Sequence, residues 1–195
     1  MSTSLEFWEG RYRARTTPWD YDGVPPALSA YLARNPPPGV VLIPGCGFGY
    51  EVQAFHAAGW QPTAFDFSPT AVAQAKEKLG PLAAFVREAD FFTADLGGPY
   101  DLVYERTFLC AIHPERQPVY VEKMRRLLRP GGVIAGFFFY GEEPDGPPNP
   151  LPDLKQARAL FTGFDLIVDQ PVPAAESQPL FAGRERWQEW QYPGK

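Results

Sequence analysis

The sequence VVLIPGCGFGY, residues 40–50, decides the fold of this chain. Its first half, Val40 to Ile43, is a short continuous apolar run bounded by proline and glycine, which predicts a strand buried on both faces. Its second half places three glycines in a turn that runs into a helix, and glycine lets a backbone turn tightly and approach a ligand. Ligands bind at the carboxyl ends of parallel strands, so this loop is the first candidate site.

Apolar runs and helical patterns alternate along the rest of the chain. Strands are predicted at residues 40–43, 63–67, 83–86, 100–104, 133–139, 165–168 and 184–190. Helices are predicted at residues 4–14, 25–34, 51–58, 69–79, 117–128 and 154–161. This alternation predicts an α/β protein with a mostly parallel sheet that helices cover on both faces, in a single domain over residues 1–195. The segment 184–190 is the candidate for a final antiparallel strand.

The composition argues against several classes of protein. The 195 residues carry 18 basic and 23 acidic side chains, a net charge of −5, which disfavours a nucleic-acid backbone binder. No apolar run approaches the roughly 18 residues of a membrane-spanning helix, and the N-terminus lacks a signal-peptide pattern. We therefore expect a cytoplasmic enzyme or binding domain that acts as a monomer on a small molecule, without a nucleic-acid or membrane partner.

An acidic residue stands at the end of the second predicted strand. Asp66 follows Gly45 by 21 positions, and a carboxylate there can accept hydrogen bonds from the ribose hydroxyls of a nucleoside cofactor. A dinucleotide site requires G-x-G-x-x-G, but the third glycine comes one position early and Tyr50 stands in its place. The spacing G-x-G-x-G instead fits S-adenosylmethionine (SAM), which has no phosphate. A tight structural turn and an NAD-dependent oxidoreductase are the alternatives.

A second acidic residue, Asp90, follows the third predicted strand and precedes Phe91. In a SAM site, a side chain here can bond the adenine amino group while an aromatic ring packs on the adenine. Core packing is the alternative for Phe91. Aromatic residues also concentrate in the N-terminal segment and at residues 137–140, and ring faces attract a positively charged methyl donor.

These residues and several further motifs resemble one family. The motifs are Trp8, TPWD at 17–20, LIPGCG at 42–47, FDFS at 65–68, DF at 90–91, ERTFLCAI at 105–112 and GPP at 146–148. Together they resemble the thiopurine S-methyltransferase family of class I SAM-dependent methyltransferases, which includes a thiol and halide methyltransferase branch. The resemblance covers nearly the whole chain. It implies a Rossmann-like fold with a mostly parallel seven-stranded sheet, helices on both faces and one antiparallel C-terminal strand.

The resemblance also implies which residues hold the cofactor. They are Trp8, Trp19, Gly45, Cys46, Gly47, Asp66, Phe67, Asp90, Phe91 and Arg106. Trp8 and Trp19 would cover the cofactor, and Arg106 would reach both the cofactor and the active site. A structural ion pair with Glu105 or Asp101 is the alternative for Arg106.

On the substrate side, the candidate catalytic residues are Arg106, His113 and Tyr140, with His113 as the candidate proton acceptor. Two segments are expected to border this side. The aromatic N-terminal segment, residues 1–38, would form a lid. The proline-rich loop, residues 141–153, would form a stiff wall because each proline fixes φ.

Residues for metal or covalent catalysis are scarce. The chain has two cysteines and two histidines, without a spacing typical of a metal site, so no metal is expected. Methyl transfer from a sulfonium needs positioning and exclusion of water more than a strong base. We therefore expect transfer to a soft nucleophile, foremost a thiol. Halide or thiocyanate, selenium or tellurium species, and a non-catalytic SAM-binding domain are the alternatives.

Overall fold

A computed structural model describes residues 4–34, 39–142 and 146–194. The remaining residues, which include parts of the predicted lid and of the proline-rich loop, lie outside this description. The seven strands are β1 (Val40–Pro44), β2 (Gln61–Asp66), β3 (Val86–Glu88), β4 (Tyr100–Arg106), β5 (Leu128–Phe139), β6 (Asp165–Pro171) and β7 (Glu185–Gln191). They form one sheet in the order β3-β2-β1-β4-β5-β7-β6.

The direction of the strands confirms the predicted sheet. β3, β2, β1, β4 and β5 pair in parallel, whereas β7 runs antiparallel to both β5 and β6. The sheet therefore has seven strands, of which one, the C-terminal strand, is antiparallel. The chain crosses from β3 back to β4 at the centre, so the carboxyl ends of β1, β2 and β4 meet at one edge.

Helices cover both faces of this sheet. They are α1 (Leu5–Arg13), α2 (Pro26–Arg34), α3 (Tyr50–Ala57), α4 (Pro69–Leu79), α5 (Gln117–Leu127) and α6 (Leu154–Leu160). Val41 and Ile43 of β1 pack in one buried cluster with α2, α3 and α4. Leu42, on the opposite side of the same strand, packs in a second cluster with α5 and α6. Burial on both faces explains why β1 is a continuous apolar run. In the part of the chain that the structure describes, no helix has the length and apolar content to cross a membrane.

Two sequence-based boundaries are wrong. The predicted strand 83–86 is mostly a short 3-10 helix, Gly80–Phe85, because Pro81 stands in its first turn and Gly80 adopts a φ of +53°. Residues 129–132, which lie between the predicted helix 117–128 and the predicted strand 133–139, belong to β5, which begins at Leu128. This stretch pairs with the end of the chain instead: the Gly131 amide donates to the Tyr192 carbonyl at 2.7 Å, and the Tyr192 amide donates to the Gly132 carbonyl at 2.8 Å.

Candidate cofactor and active site

A cavity of about 190 Å³ lies at the carboxyl edge of β1, β2 and β4. Helix α1 and the segment that follows it, at the N-terminal end of the chain, form one wall of this cavity. Much of the wall is aromatic, with rings from Phe7, Trp8, Tyr12, Trp19, Phe65, Phe67, Phe91, Phe92, Phe108 and Phe181. Ring faces attract cations and stack on other flat rings, so this wall suits a positively charged ligand with a flat ring.

A smaller cavity of about 50 Å³ adjoins the first over the glycine loop. Both cavities share Tyr12, Trp19, Gly45 and Thr107 as lining residues. The walls of the smaller cavity carry charge, with Asp20, Glu51 and Arg106 among its lining residues. The two cavities thus offer an aromatic chamber connected to a charged one.

The glycine loop after β1 needs its glycines for conformation and for space. Gly45 and Gly47 have φ angles of +59° and +51°, in the left-handed region that favours glycine. A Cβ atom at Gly45 would lie 2.5 Å from the Phe108 ring, and one at Gly47 would lie 3.0 Å from the Tyr12 hydroxyl. The Cys46 amide donates to the Phe65 carbonyl at 2.9 Å, which ties the loop to β2. Burial raises the pKa of the Cys46 thiol well above its usual value, so it stays protonated.

Asp66 ends β2 with its carboxylate in the aromatic cavity. Its Oδ2 accepts a hydrogen bond from the Gly47 amide at 3.2 Å, and its Oδ1 accepts one from the Ser68 amide at 2.9 Å. Burial raises the pKa of Asp66 to about 6, although the hydrogen bonds from Ser68, Gly47 and Phe67 partly oppose that rise. Each carboxylate oxygen has a second lone pair, so Asp66 can still accept bonds from two hydroxyl groups.

Asp90 and Phe91 also line the aromatic cavity. Asp90 is exposed, and its Oδ1 accepts a hydrogen bond from the Phe92 amide at 2.7 Å. The Phe91 ring is stacked at 20° to the Phe65 ring and belongs to the buried core cluster. Phe91 therefore serves the core and the cavity wall together, which the sequence treated as alternatives.

Arg106, the last residue of β4, lines the smaller cavity. Its Nη1 donates to Glu185 of β7 at 2.5 Å, and its guanidinium lies 4.4 Å from the centre of the Phe137 ring. The alternative of an ion pair with Glu105 or Asp101 is not observed, since the partner comes from a distant strand. Its Nη2 is buried and has no hydrogen-bond partner among the described residues. A buried donor of this kind favours an anionic ligand.

The aromatic part of the N-terminal segment is docked over the cavity. The Trp8 and Trp19 rings meet edge to face at 5.1 Å, and Tyr12 meets Trp19 at 6.0 Å. Of the cofactor residues proposed from the resemblance, Trp8, Trp19, Gly45, Asp66, Phe67, Asp90 and Phe91 line the larger cavity. Trp19, Gly45, Cys46, Gly47 and Arg106 line the smaller one. The structure thus brings the whole proposed cofactor set together around the two cavities.

A residue that sequence reasoning missed holds this segment in place. Glu9 of α1 accepts hydrogen bonds from the hydroxyls of Ser68 at 2.5 Å and Thr70 at 2.6 Å, and pairs with Arg13 at 2.8 Å. Burial opposes the ionisation of Glu9, but these donors outweigh it and lower its pKa to about 2. Ser68 and Thr70 lie 59 and 61 positions from Glu9 in sequence, so no local pattern could reveal these bonds.

Two predicted catalytic residues lie away from this set. His113 is exposed and lines neither cavity, and its Nδ1 accepts from the Glu115 amide at the start of a 3-10 helix. Tyr140 lines neither cavity, and its hydroxyl bonds the Gln188 Oε1 at 3.0 Å. The structure does not bring these two side chains together with Asp66 or Arg106.

Three loops contribute apolar residues to the wall of the larger cavity: Cys110 packs with Leu180 and Phe181, and Asn149, next to Pro148, bonds the loop at 110–112. We call this part of the wall the apolar end; its lining residues are Cys110, Ala111, Ile112, Pro147, Pro148, Leu180 and Phe181. Burial raises the pKa of the Cys110 thiol well above its usual value, so this group stays neutral. Pro147 and Pro148 belong to the predicted proline-rich wall, whereas Leu180 and Phe181 carried no recognisable signal in the sequence.

The loop that bears Cys110 is fixed from two sides. Glu105 accepts hydrogen bonds from the Phe108 and Leu109 amides, both at 2.8 Å, and from the Tyr120 hydroxyl at 2.7 Å. The side-chain amide of Asn149 donates to the carbonyls of the same loop. Thr107 begins the loop with a φ of +59°, a strained conformation for a β-branched residue. Such strain persists only where the surrounding structure imposes it, and here it lies at the junction of the two cavities.

The strand order, the glycine loop after β1, the acidic end of β2 and the aromatic cavity together define a class I SAM-dependent methyltransferase. The chain belongs to the thiopurine S-methyltransferase family, whose family model matches residues 3–192. This confirms the resemblance and the expected cofactor, and it decides against an NAD-dependent oxidoreductase.

Two plant proteins are similar to most of the chain. The probable thiol methyltransferase 2 of Arabidopsis thaliana is 34% identical over 169 residues, which cover 82% of this chain and 74% of that protein. Thiocyanate methyltransferase 1 of the same plant is 30% identical over 192 residues, covering 94% of this chain and 83% of that protein.

A solved structure shows a similar fold. It is the 1,6-didemethyltoxoflavin-N1-methyltransferase of Burkholderia thailandensis with bound 1,6-didemethyltoxoflavin and S-adenosylhomocysteine. The match has a TM-score of 0.73 at 22% identity and covers 97% of this chain and 87% of that chain.

The residues around the two cavities fit SAM. The buried Nη2 of Arg106 has no partner among the described residues and could bind the carboxylate of the amino-acid end. Asp66 has free lone pairs for the ribose, and aromatic rings surround the space beside it. Among the described residues, no group of His, Cys, Asp and Glu is arranged to hold a metal ion.

Proposed function

We propose that the chain methylates the sulfur of a small thiol that is already ionised in solution. One observation carries this proposal: among the described residues, the apolar end of the larger cavity is lined by no carboxylate, imidazole or lysine that could remove a proton. Its titratable group, the Cys110 thiol, stays neutral. A nucleophile that reaches this end must therefore bring its own negative charge or its own polarisable lone pair.

The cofactor placement that supports this proposal follows the charge and shape of the cavities. Asp66 would bind the ribose, and Asp90 and Phe91 would hold the adenine. Trp8 and Trp19 would cover it, while Gly45, Cys46, Gly47 and Arg106 would hold the amino-acid end in the smaller cavity. The apolar end beside Cys110 and Phe181 then remains for the methyl acceptor.

The residues of the chain would act by orientation and exclusion of water. When bound, SAM supplies a sulfonium methyl group that needs no further activation before an in-line displacement. The aromatic rings would keep water from the reacting atoms and favour positive charge. The loop fixed by Glu105 and Asn149 would hold the acceptor in line, because its backbone bonds leave it one conformation.

A pH–rate comparison with two acceptors tests this proposal. With SAM held at saturation at every pH, an aromatic thiol and an alkyl thiol of higher pKa are assayed for kcat/KM over roughly pH 5 to 10. We expect each profile to rise up to the pKa of its own thiol, because the thiolate forms in solution. One common inflection for both thiols would instead indicate a base in the protein and would overturn the proposal.

Thiocyanate or halide is the second candidate acceptor. The same absence of a base favours these ions, which are anionic at every working pH, and two relatives are named for thiocyanate. Headspace analysis with thiocyanate, iodide and hydrosulfide, each at equal concentration, ranks the acceptors by the methylated product. Selenium and tellurium species belong in the same screen.

The remaining proposals concern the location, the oligomeric state and the partners of the protein. We propose that the protein works in the cytoplasm as a monomer, without a nucleic-acid partner. The excess of acidic over basic residues, 23 against 18, and the two free cysteines support this view. Size-exclusion chromatography with light scattering tests the monomer.

A further inference from the structure

Glu51 is a buried acid that the proposed function leaves without a role. It lies in the first turn of α3, directly after the glycine loop, and is 8% exposed. It lines the smaller cavity. No lysine, arginine or histidine nitrogen among the described residues lies within 4.0 Å of its carboxylate, although the Tyr104 hydroxyl interacts with it. A buried carboxylate without a cation is costly unless a ligand supplies one.

The charges around Glu51 leave the smaller cavity short of positive charge. Asp20, from the segment after α1, and Arg106, from β4, are the other charged lining residues. Arg106 already forms an ion pair with Glu185. The titratable neutral groups on the same wall are Tyr12, Tyr21, Cys46, Tyr50 and Tyr104. The carboxyl groups of Asp20 and Glu51 thus line this cavity together with one arginine, and Glu185 already pairs with that arginine.

We propose that Glu51 binds the α-ammonium of SAM while Arg106 binds its α-carboxylate, so that the two side chains divide the recognition of the zwitterionic amino-acid end. This inference rests on the cofactor placement proposed above. The two groups suit these partners because, within the described part of the chain, the Arg106 Nη2 is a buried donor without a partner and Glu51 is a buried acceptor without a cation. Together they would select a ligand that carries both charges.

The proposal predicts that ligand binding removes a proton from the Glu51 carboxyl group. Burial raises the pKa of Glu51 to about 7, while the charge of Arg106 and the Tyr104 hydroxyl lower it and Asp20 raises it further. Near neutral pH part of the free protein therefore carries a proton on Glu51. An ammonium favours the ionised carboxylate, so ligand binding releases this proton to the buffer and affinity rises with pH from roughly 6 to 8.

Calorimetry with two ligands that differ by one group isolates this contact. S-adenosylhomocysteine carries the α-ammonium, and its desamino analogue lacks only that group. We expect Glu51→Gln to weaken binding of S-adenosylhomocysteine by about 10- to 100-fold and to leave the desamino analogue nearly unchanged. Glu189→Gln is the matched control, because Glu189 is also buried but lines neither cavity.

Proton release is the second measurement and needs no variant. Calorimetry in two buffers of different ionisation enthalpy gives the protons released on binding near pH 7. We expect the unmodified protein to release more protons with S-adenosylhomocysteine than with the desamino analogue. Asp66 faces both ligands alike, so its contribution cancels in this difference.

The outcomes separate this inference from the cofactor placement. Equal losses with both ligands in Glu51→Gln, or equal proton release with both, would overturn the role of Glu51. If S-adenosylhomocysteine binds far more tightly than 5′-methylthioadenosine but Glu51→Gln changes neither, the placement stands and the role of Glu51 fails. If the amino-acid end adds no affinity at all, the placement itself fails.

Discussion

Asp66 is buried, yet the backbone amides that bond its carboxylate leave lone pairs free for a ligand. In Asp66→Asn, the lost charge weakens bonds from the ribose hydroxyls, and an amide group faces a backbone N–H. We expect the affinity for SAM to fall about 10- to 100-fold, which isothermal calorimetry measures. Asp95→Asn, at an exposed acid outside both cavities, serves as the control. An unchanged affinity would remove Asp66 from the site.

For His113, in contrast to Asp66, we expect substitution to have little effect. Because its side chain is exposed and lines neither cavity, His113→Gln should change kcat/KM for a thiol by less than about twofold and leave the pH–rate profile in place. Gln can still accept the weak bond from the Glu115 amide. A fall of tenfold or more would restore the proton-acceptor role that the sequence suggested.

Residue roles could be predicted only where they depend on neighbours in sequence. The glycine loop and Asp66 stand at fixed offsets from strands, and their pattern is readable. Glu51, whose surroundings come from β4 and from the segment after α1, and Glu9, which bonds α4, have no such pattern. Arg106 was recognised as a site residue, but its partner Glu185 lies 79 positions away and was not.

At the scale of elements, the attachment of α1 to α4 depends on Glu9. In Glu9→Gln, the charge that accepts from Ser68 and Thr70 is lost, and we expect a cost of about 1–3 kcal/mol, seen as a Tm lower by roughly 2–10 °C. Glu6→Gln, at an exposed position of the same helix, should have little effect. SAM affinity should fall as well, since α1 carries Trp8 and Tyr12 into the cavity.

The pH dependence of the Tm difference between the unmodified protein and Glu9→Gln gives a separate check on the role of the Glu9 charge. The pKa of Glu9 is lowered from 4.5 to about 2, so its contribution to stability is fully present above pH 4.5 and is lost as the pH falls toward 2. The Tm gap between the unmodified protein and Glu9→Gln should therefore narrow over that range. A gap that stays constant with pH would mean that Glu9 acts by packing and not by charge.

The elements with a clear pattern were predicted well. β1 is apolar because both of its faces are buried, and α4 begins at Ser68-Pro69 because serine caps the helix and proline suits its first turn. The prediction failed at 83–86 because Pro81 begins a 3-10 helix there, and at 129–132 because tertiary pairing outweighs local preference. Gly131 and Gly132 look like a turn but bond Tyr192, a contact that only the folded sheet creates.

At the scale of the whole molecule, ligand binding should stabilise the fold. The cofactor contacts would come from α1, the loops after β1, β2 and β3, and the end of β4, so the bound state ties α1 and the β3 edge of the sheet to its central strands. At a SAM concentration about 100 times its Kd, linkage adds about 2.7 kcal/mol, or roughly 5–11 °C in Tm for a chain of this size. Differential scanning fluorimetry with SAM and with NADH as the control checks this. A shift of the same size with NADH would contradict a SAM-specific site.

The position of β7 between β5 and β6 has a consequence for synthesis on the ribosome. β5 can pair with β4 earlier, but β6 cannot join the sheet until residues 185–191 have been made, and non-local pairing of this kind is slow. Glu185, which holds the Arg106 guanidinium, lies on that last strand. A nascent chain that stops short of it leaves a buried arginine without its counter-charge, so cofactor recognition matures only when the final strand arrives.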